Sequence, residues 1–115
     1  MGPPDDRMFR VLLRLRVRDA AGFERAWLAV GDSVTGHPAN LGQWLMRDTD
    51  DDGAYYIISD WTDEASFREF EHSREHVWHR EQLHPYRESG SMVTMNVVYH
   101  LKPGGQPAEP EAAPR

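Results

Sequence analysis

The stretch NLGQWLMRDTDDDGAYYIISDW, residues 40–61, decides how the rest of this 115-residue chain is read. Two runs rich in aromatic and branched side chains flank an acidic turn, TDDDG, that closes on Gly53. That pattern is a β-hairpin. On both sides of it the apolar spacing lengthens from about two residues to about 3.6. Upstream, Phe23, Ala26, Trp27, Val30 and Val34 fall at helical intervals behind Asp19, and Gly36 and Pro38 end the run. Downstream, Thr62 is placed to cap a helix that opens with Asp63 and Glu64, both favourable against the helix dipole, and continues to about Leu83.

The outer segments complete the pattern. MFRVLLRLRV, residues 8–17, puts Phe9, Val11, Leu13, Leu15 and Val17 on one face and Arg10, Leu12, Arg14 and Arg16 on the other. SMVTMNVVYHL, residues 91–101, is β-branched and apolar and reads as a long last strand. The order β-α-β-β-α-β predicts a ferredoxin-like α+β fold, an antiparallel sheet with two helices on one face. The sheet's other face carries Leu12 and three arginines, with Trp44 and Met46 as candidates beside them. Burying that face against a second copy would make a dimeric α+β barrel. The ordered domain is expected over residues 8–101. Residues 1–7 and the Pro-, Gly- and Glu-rich residues 102–115 are expected to be disordered.

Bulk properties narrow the function. A net charge of -6 argues against nucleic-acid binding, which needs a basic surface. The chain has no cysteine, and so neither a disulfide nor a thiolate chemistry. No run approaches the ~18 apolar residues that span a bilayer, and MGPPDDR lacks a signal-peptide layout, so a cytoplasmic location away from membranes is expected.

Several short motifs invite a chemical reading. DTDDDG, residues 48–53, matches the start of a calcium-binding EF-hand loop, but Ser59 stands where the loop needs its bidentate glutamate, and strands flank it. His72, His76, His79 and His84 crowd one stretch of the second helix region. On one continuous helix Phe67, Phe70, Val77 and Trp78 share a side, and His72, His76 and His79 take the opposite one. These three are therefore expected on a solvated face. No metal site is expected, because the H-E-x-x-H pattern is absent. His84 differs, since the helix stops there and Pro85, Tyr86 and Arg87 follow. An imidazole, a phenol and a guanidinium leaving a helix together suit acid–base work or anion holding as well as loop tethering. Trp61, at the end of the third strand, suits a core or a site. Thr94, Asn96 and His100 share a face of the last strand. No glycine-rich phosphate loop or nucleophile elbow occurs.

A β-α-β-β-α-β chain whose third strand ends in tryptophan and runs into TDEASFREF resembles the antibiotic biosynthesis monooxygenase family. GHPANLGQWLMR, SDWTDEASFREFE and LHPYRESGSM are similar to members from aromatic type II polyketide and spore-pigment clusters. The resemblance implies a homodimer with a substrate cavity between helices and sheet, acting on an aromatic polyketide with molecular oxygen as co-substrate and no cofactor. Catalytic roles are expected for Trp61, His84 and Arg87, and substrate contacts from Trp44, Phe67, Trp78, Tyr86 and Asn96. The anthrone-oxidising members carry Asn-x3-Trp-x5-Tyr, where this chain reads Ile57, Trp61 and Phe67. His84, Tyr86 and Arg87 are then expected to replace the missing hydrogen-bonding groups. Haem-degrading relatives carry an asparagine where the first strand here is apolar around Leu13, which points away from haem. A polyketide cyclase, or an accessory protein of a cyclase or synthase complex, remains an alternative use of the same cavity.

Overall fold

The computed structural model describes residues 8–104 and 106–107. Of the segments expected to be disordered, 1–7 and 102–115, residues 1–7, 105 and 108–115 lie outside the described residues. The elements are β1 (Phe9–Val17), α1 (Ala20–Val30), α2 (Asp32–Thr35), β2 (Asn40–Arg47), β3 (Ala54–Trp61), α3 (Glu64–Glu71), α4 (Arg74–Leu83), β4 (Arg87–Asn96), β5 (Leu101–Lys102) and β6 (Gln106–Pro107). A single 3-10 turn, His84–Tyr86, joins α4 to β4. The four long strands form one sheet in the order β2-β3-β1-β4, with each neighbouring pair antiparallel. With the helices packed on one side, this is the ferredoxin-like α+β fold. Among the described residues no helix is long and apolar enough to cross a membrane.

The register shows which side chains share a face, because residues directly opposite in an antiparallel pair point the same way. Gln43, Ser59, Val11 and Thr94 form one row on the helix side, and Leu45, Ile57, Leu13 and Met92 form the next. Trp44, Ile58, Leu12 and Val93 form a row on the opposite side. The helix-side face divides into two buried groups. One gathers Leu15, Val17, Phe23, Val30, Tyr55, Ile57 and Leu83 beneath α1. The other gathers Phe9, Val11, Val34, Trp61, Phe67 and Phe70 beneath α3. Each large apolar side chain so buried contributes about 1.5–3 kcal/mol, which makes these strands the anchor of everything else.

Local chemistry places the ends of the elements. Asp19 caps α1, its carboxylate accepting from the Gly22 backbone N–H at 3.0 Å. In β2, Gly42 sits at φ +137, a region that L side chains rarely adopt, beside an irregularity in the pairing with β3.

Three expectations need correction. The cap of the second helical region is Asp63, not Thr62: Asp63 accepts from Ser66 N–H at 2.8 Å, while the Thr62 hydroxyl donates to Asp63. The last strand begins at Arg87 and ends at Asn96, so Val97–His100 lie beyond it. Pairing with β1, reinforced by Arg18 N–H donating to Tyr86 O at 3.0 Å, extends the strand through RESG despite that run's weak strand preference. Most consequential, the second helix is not continuous. It stops at His72 and restarts at Ser73 as α4. The Ser73 hydroxyl accepts from His76 N–H at 3.2 Å and donates to Phe70 O at 2.6 Å, so one side chain serves both sides of the break.

Replacing Ser73→Ala removes both bonds. The expected outcome is a loss of about 1 kcal/mol in urea unfolding with an unchanged slope. An unchanged midpoint would show that the break holds without the hydroxyl.

Candidate active site

Between the helices and the sheet lies a cavity of about 300 Å³. This is at the lower end of small-molecule sites, which run from about 300 to 1,000 Å³. Its floor comes from β1 and β3, with Val11, Leu13, Ile57 and Ser59, and its far wall from Gly90, Ser91 and Met92 of β4. Trp61 and Phe67 stand at one end. The Trp61 ring meets Phe67 at 5.5 Å between centroids and an interplanar angle of 63°, and Phe70 at 5.1 Å. His37 closes the cluster, 5.4 Å from Trp61. Trp61 is almost wholly buried, and its indole N–H donates to the Ser59 hydroxyl at 3.0 Å. Its orientation is thereby locked, and it offers the cavity a ring rather than a free donor.

The polar wall is α4. Because the chain restarts at Ser73, His76, His79, Arg80 and Leu83 turn towards the cavity, joined by Glu71 at the end of α3. His79 is 7% exposed and His76 is half-buried. The two imidazoles lie nearly parallel, 6.3 Å apart with 11° between planes, and the His76 ring abuts Phe70 at 5.1 Å. His76 Nδ1 and His79 Nε2 are buried without a hydrogen-bond partner among the described residues. Burial disfavours the imidazolium and, with His76 nearby, pushes His79 down from 6.5 to about 4. Burial also lowers His76, aided by Arg80 and His72 and opposed by Glu71. Both rings are therefore neutral near pH 7.

The expected solvated face is thus overturned for His76 and His79, though His72 is exposed as expected. The same rotation corrects Trp78, which is 48% exposed on the outside of α4 and does not line the cavity. Among the other candidates, Trp61, Phe67 and Arg87 line the cavity, but His84, Trp44, Tyr86 and Asn96 do not. His84 is exposed in the turn after α4. Trp44 lies on the opposite face of the sheet, and Asn96 is exposed at the end of β4. Tyr86 packs against the core under α1 instead, where Gly22 makes room for it: a Cβ at Gly22 would sit 2.8 Å from its ring. Of the group expected to supply the missing hydrogen bonds, only Arg87 reaches the cavity. Sequence reading missed His76, His79, Glu71, Arg80 and Gln43. The available signal was Ser73 followed by Glu75, a helix-start pattern inside an assumed helix.

Among the described residues no three His, Asp or Glu side chains converge to hold a metal. The acidic turn is occupied by the protein itself, since Arg16 forms a paired contact with Asp51 at 3.0 and 2.5 Å.

Residues 8–82 match the antibiotic biosynthesis monooxygenase family, and the chain belongs to it. No curated protein sequence matches the chain. Among solved structures it is similar to SnoaB, a cofactor-independent oxygenase from Streptomyces nogalater, with a TM-score of 0.75 and 21% identity over 83% of this chain and 97% of that one. A protein from Caulobacter crescentus assigned to the same monooxygenases gives 0.73 and 18%, covering 82% of this chain and 92% of that one. A third, from Nitrosomonas europaea, gives 0.72 and 12% over 82% and 93%. At these identities the likeness establishes the fold. Ile57, Trp61 and Phe67, the positions of the Asn-x3-Trp-x5-Tyr pattern, all line the cavity.

Because folded His79 takes its proton only near pH 4 whereas the unfolded residue takes one near 6.5, its contribution to stability is whole above 6.5. It is lost as pH falls from about 6.5 to 4, amounting to as much as about 3 kcal/mol. Urea midpoints measured across that window should fall in the wild type and fall less steeply in His79→Leu. Equal slopes would mean that this imidazole is not held neutral.

Proposed function

We propose that this monooxygenase-family chain oxidises a flat, phenolic, polycyclic aromatic compound of the polyketide type, hydroxylating it or converting it to a quinone. Molecular oxygen is the co-substrate, and no cofactor takes part. The observation that carries the reading is the cavity, aromatic at its Trp61 and Phe67 end and mostly apolar along the sheet, with its charged groups at Glu71, Arg80 and Arg87 and room for one small fused-ring ligand. SnoaB, cofactor-independent and of the same fold, supports the absence of a cofactor.

The chemistry fits what these side chains supply. An electron-rich phenol can pass one electron to dioxygen, and the resulting radical and superoxide combine to a peroxide on the substrate carbon. Loss of water then leaves one oxygen atom on that carbon as a carbonyl. The protein need only hold the ring plane, exclude bulk water and stabilise the anionic oxygen as it forms. Trp61 and Phe67 hold the plane, and Arg87 brings a permanent positive charge.

In this reading the protein works as a cytoplasmic homodimer joined through the open face of the sheet. Leu12, Ile58, Val93 and Trp44 form an apolar row there, and Trp44 is 47% exposed in the single chain. Beside it Arg10 holds Asp60 with two bonds of 2.7 and 2.8 Å, so this face has a charged pair already satisfied within one protomer.

Metal-free protein in a sealed oxygen electrode with anthrone or a reduced naphthol should consume oxygen above the uncatalysed rate, unaffected by chelator. Arg87→Ala should lower that rate about tenfold, the equivalent of one charge-assisted hydrogen bond. Ligand bound without oxygen uptake would shift the reading to a polyketide cyclase or an accessory protein of a cyclase or synthase complex. For the dimer, Trp44→Glu should halve the mass seen by light scattering, and an unchanged mass would place the interface elsewhere.

A further inference from the structure

The geometry points to His76 and His79 as a proton-accepting pair that takes the hydroxyl hydrogen of a phenolic ligand lying against Trp61 and Phe67. This rests on the oxygenase reading for its redox partner, but not for the binding step. Two buried ring nitrogens, His76 Nδ1 and His79 Nε2, lack partners among the described residues. Leaving buried polar atoms unpaired is costly, about 1–3 kcal/mol each, and native structures seldom tolerate it without a function. Both side chains line the cavity, and nothing else on that wall is a neutral acceptor of comparable strength. Both nitrogens are sealed from the cavity as the rings stand, so a half-turn of either imidazole about its Cβ–Cγ bond is what brings the acceptor to a ligand hydroxyl; a purely apolar ring would give no reason for that turn.

The surroundings fix how the pair behaves. The charged and titratable groups acting on it or sharing its cavity are Glu71 from α3, His72 just after it, Arg80 from α4 and Arg87 from β4. The sheet strands β2 and β3 add only Gln43 and Ser59. Glu71 is already engaged by Arg68 at 3.1 Å. Among the described residues no carboxylate bridges the two imidazoles, and a proton on one ring opposes a second on the other. The pair thus holds one proton at most at working pH, and it is a weak base at rest. That suits a step in which the proton moves only as the electron leaves, because removing an electron turns a phenol into a strong acid. The O–H bond breaks, an N–H bond forms on the imidazole, and the electron reduces dioxygen to superoxide. After radical and superoxide combine, the imidazolium returns its proton to the peroxide oxygen and the pair is neutral again.

The test uses full-length protein without oxygen, 2-naphthol as probe and naphthalene as its hydroxyl-free counterpart. We expect 2-naphthol to bind about threefold to tenfold more tightly than naphthalene, the worth of one neutral hydrogen bond. Nitrogen resonances of His76 and His79 should shift with naphthol and not with naphthalene. His76→Phe together with His79→Phe should abolish the preference while naphthalene still binds, which also reports an intact cavity. If the variant fails to fold, the wild-type resonances decide. Absence of a naphthol-specific shift at either ring, or a preference that survives the double replacement, overturns the proposal. Failure of both ligands to bind overturns it together with the oxygenase reading. A preference that depends on the histidines, in a protein that consumes no oxygen, removes the oxygenase reading and leaves the pair as a phenol-binding site.

Discussion

The site depends on where one helix stops. A continuous helix from Asp63 to Leu83 would have to bury a single stripe along its length, and the sequence offers no stripe that remains apolar that far. The Ser73 hydroxyl resolves the conflict by serving Phe70 O and His76 N–H at once. α3 can then bury Phe67 and Phe70, while α4 buries His79 and Leu83 from a different angle. A side chain of one hydroxyl thereby decides that the cavity wall is made of imidazole rather than of Val77 and Trp78.

The aromatic cluster supplies the complementary constraint. Trp61, Phe67, Phe70 and His37 interlock at centroid distances between 5.1 and 5.7 Å, with the indole fixed by Ser59. Rings meeting at an edge or a tilt are favourable arrangements, and each pair adds about 0.5–1.5 kcal/mol beyond simple burial. This end of the cavity is therefore rigid and apolar, with the His76 imidazole set against its edge at Phe70 and His79 further along α4. A flat ligand would be oriented by that contrast alone.

Much of this was legible in the sequence. The alternation in β1, the hairpin of β2 and β3 and the Asp19 cap all depend on local chemistry, so near neighbours in the chain reveal them. The resemblance carried by SDWTDEASFREFE located Trp61 and Phe67 at the cavity. What was not legible follows from a single assumption of helix continuity. It turned His76 and His79 outwards and Trp78 inwards. Periodicity cannot correct this, because the polar wall of a site and the wet face of a helix have the same composition. Tyr86 was misjudged for another reason: the glycine that draws it towards α1, Gly22, is more than sixty positions away in the chain. The start of β4 at Arg87 likewise came from pairing with β1 and not from the strand preference of RESG.

The two walls of the cavity also differ in how firmly the fold holds them. Trp61, Ser59 and Val11 belong to strands bonded on both sides, and changing them disturbs the whole sheet. Gly90, Ser91 and Met92 belong to β4, which is bonded to β1 alone. At Met92, partly exposed on this edge strand, a larger or smaller side chain alters the width of the cavity with little cost to the core, whereas a side chain at Gly90 would press on Leu15 at 2.8 Å. The fold thus separates the inheritance of its architecture from the tuning of its ligand: one border is fixed by folding, and the other is free to drift. A lineage could change the number of rings it accepts through a few positions on one edge strand, leaving the aromatic end and the imidazole wall untouched.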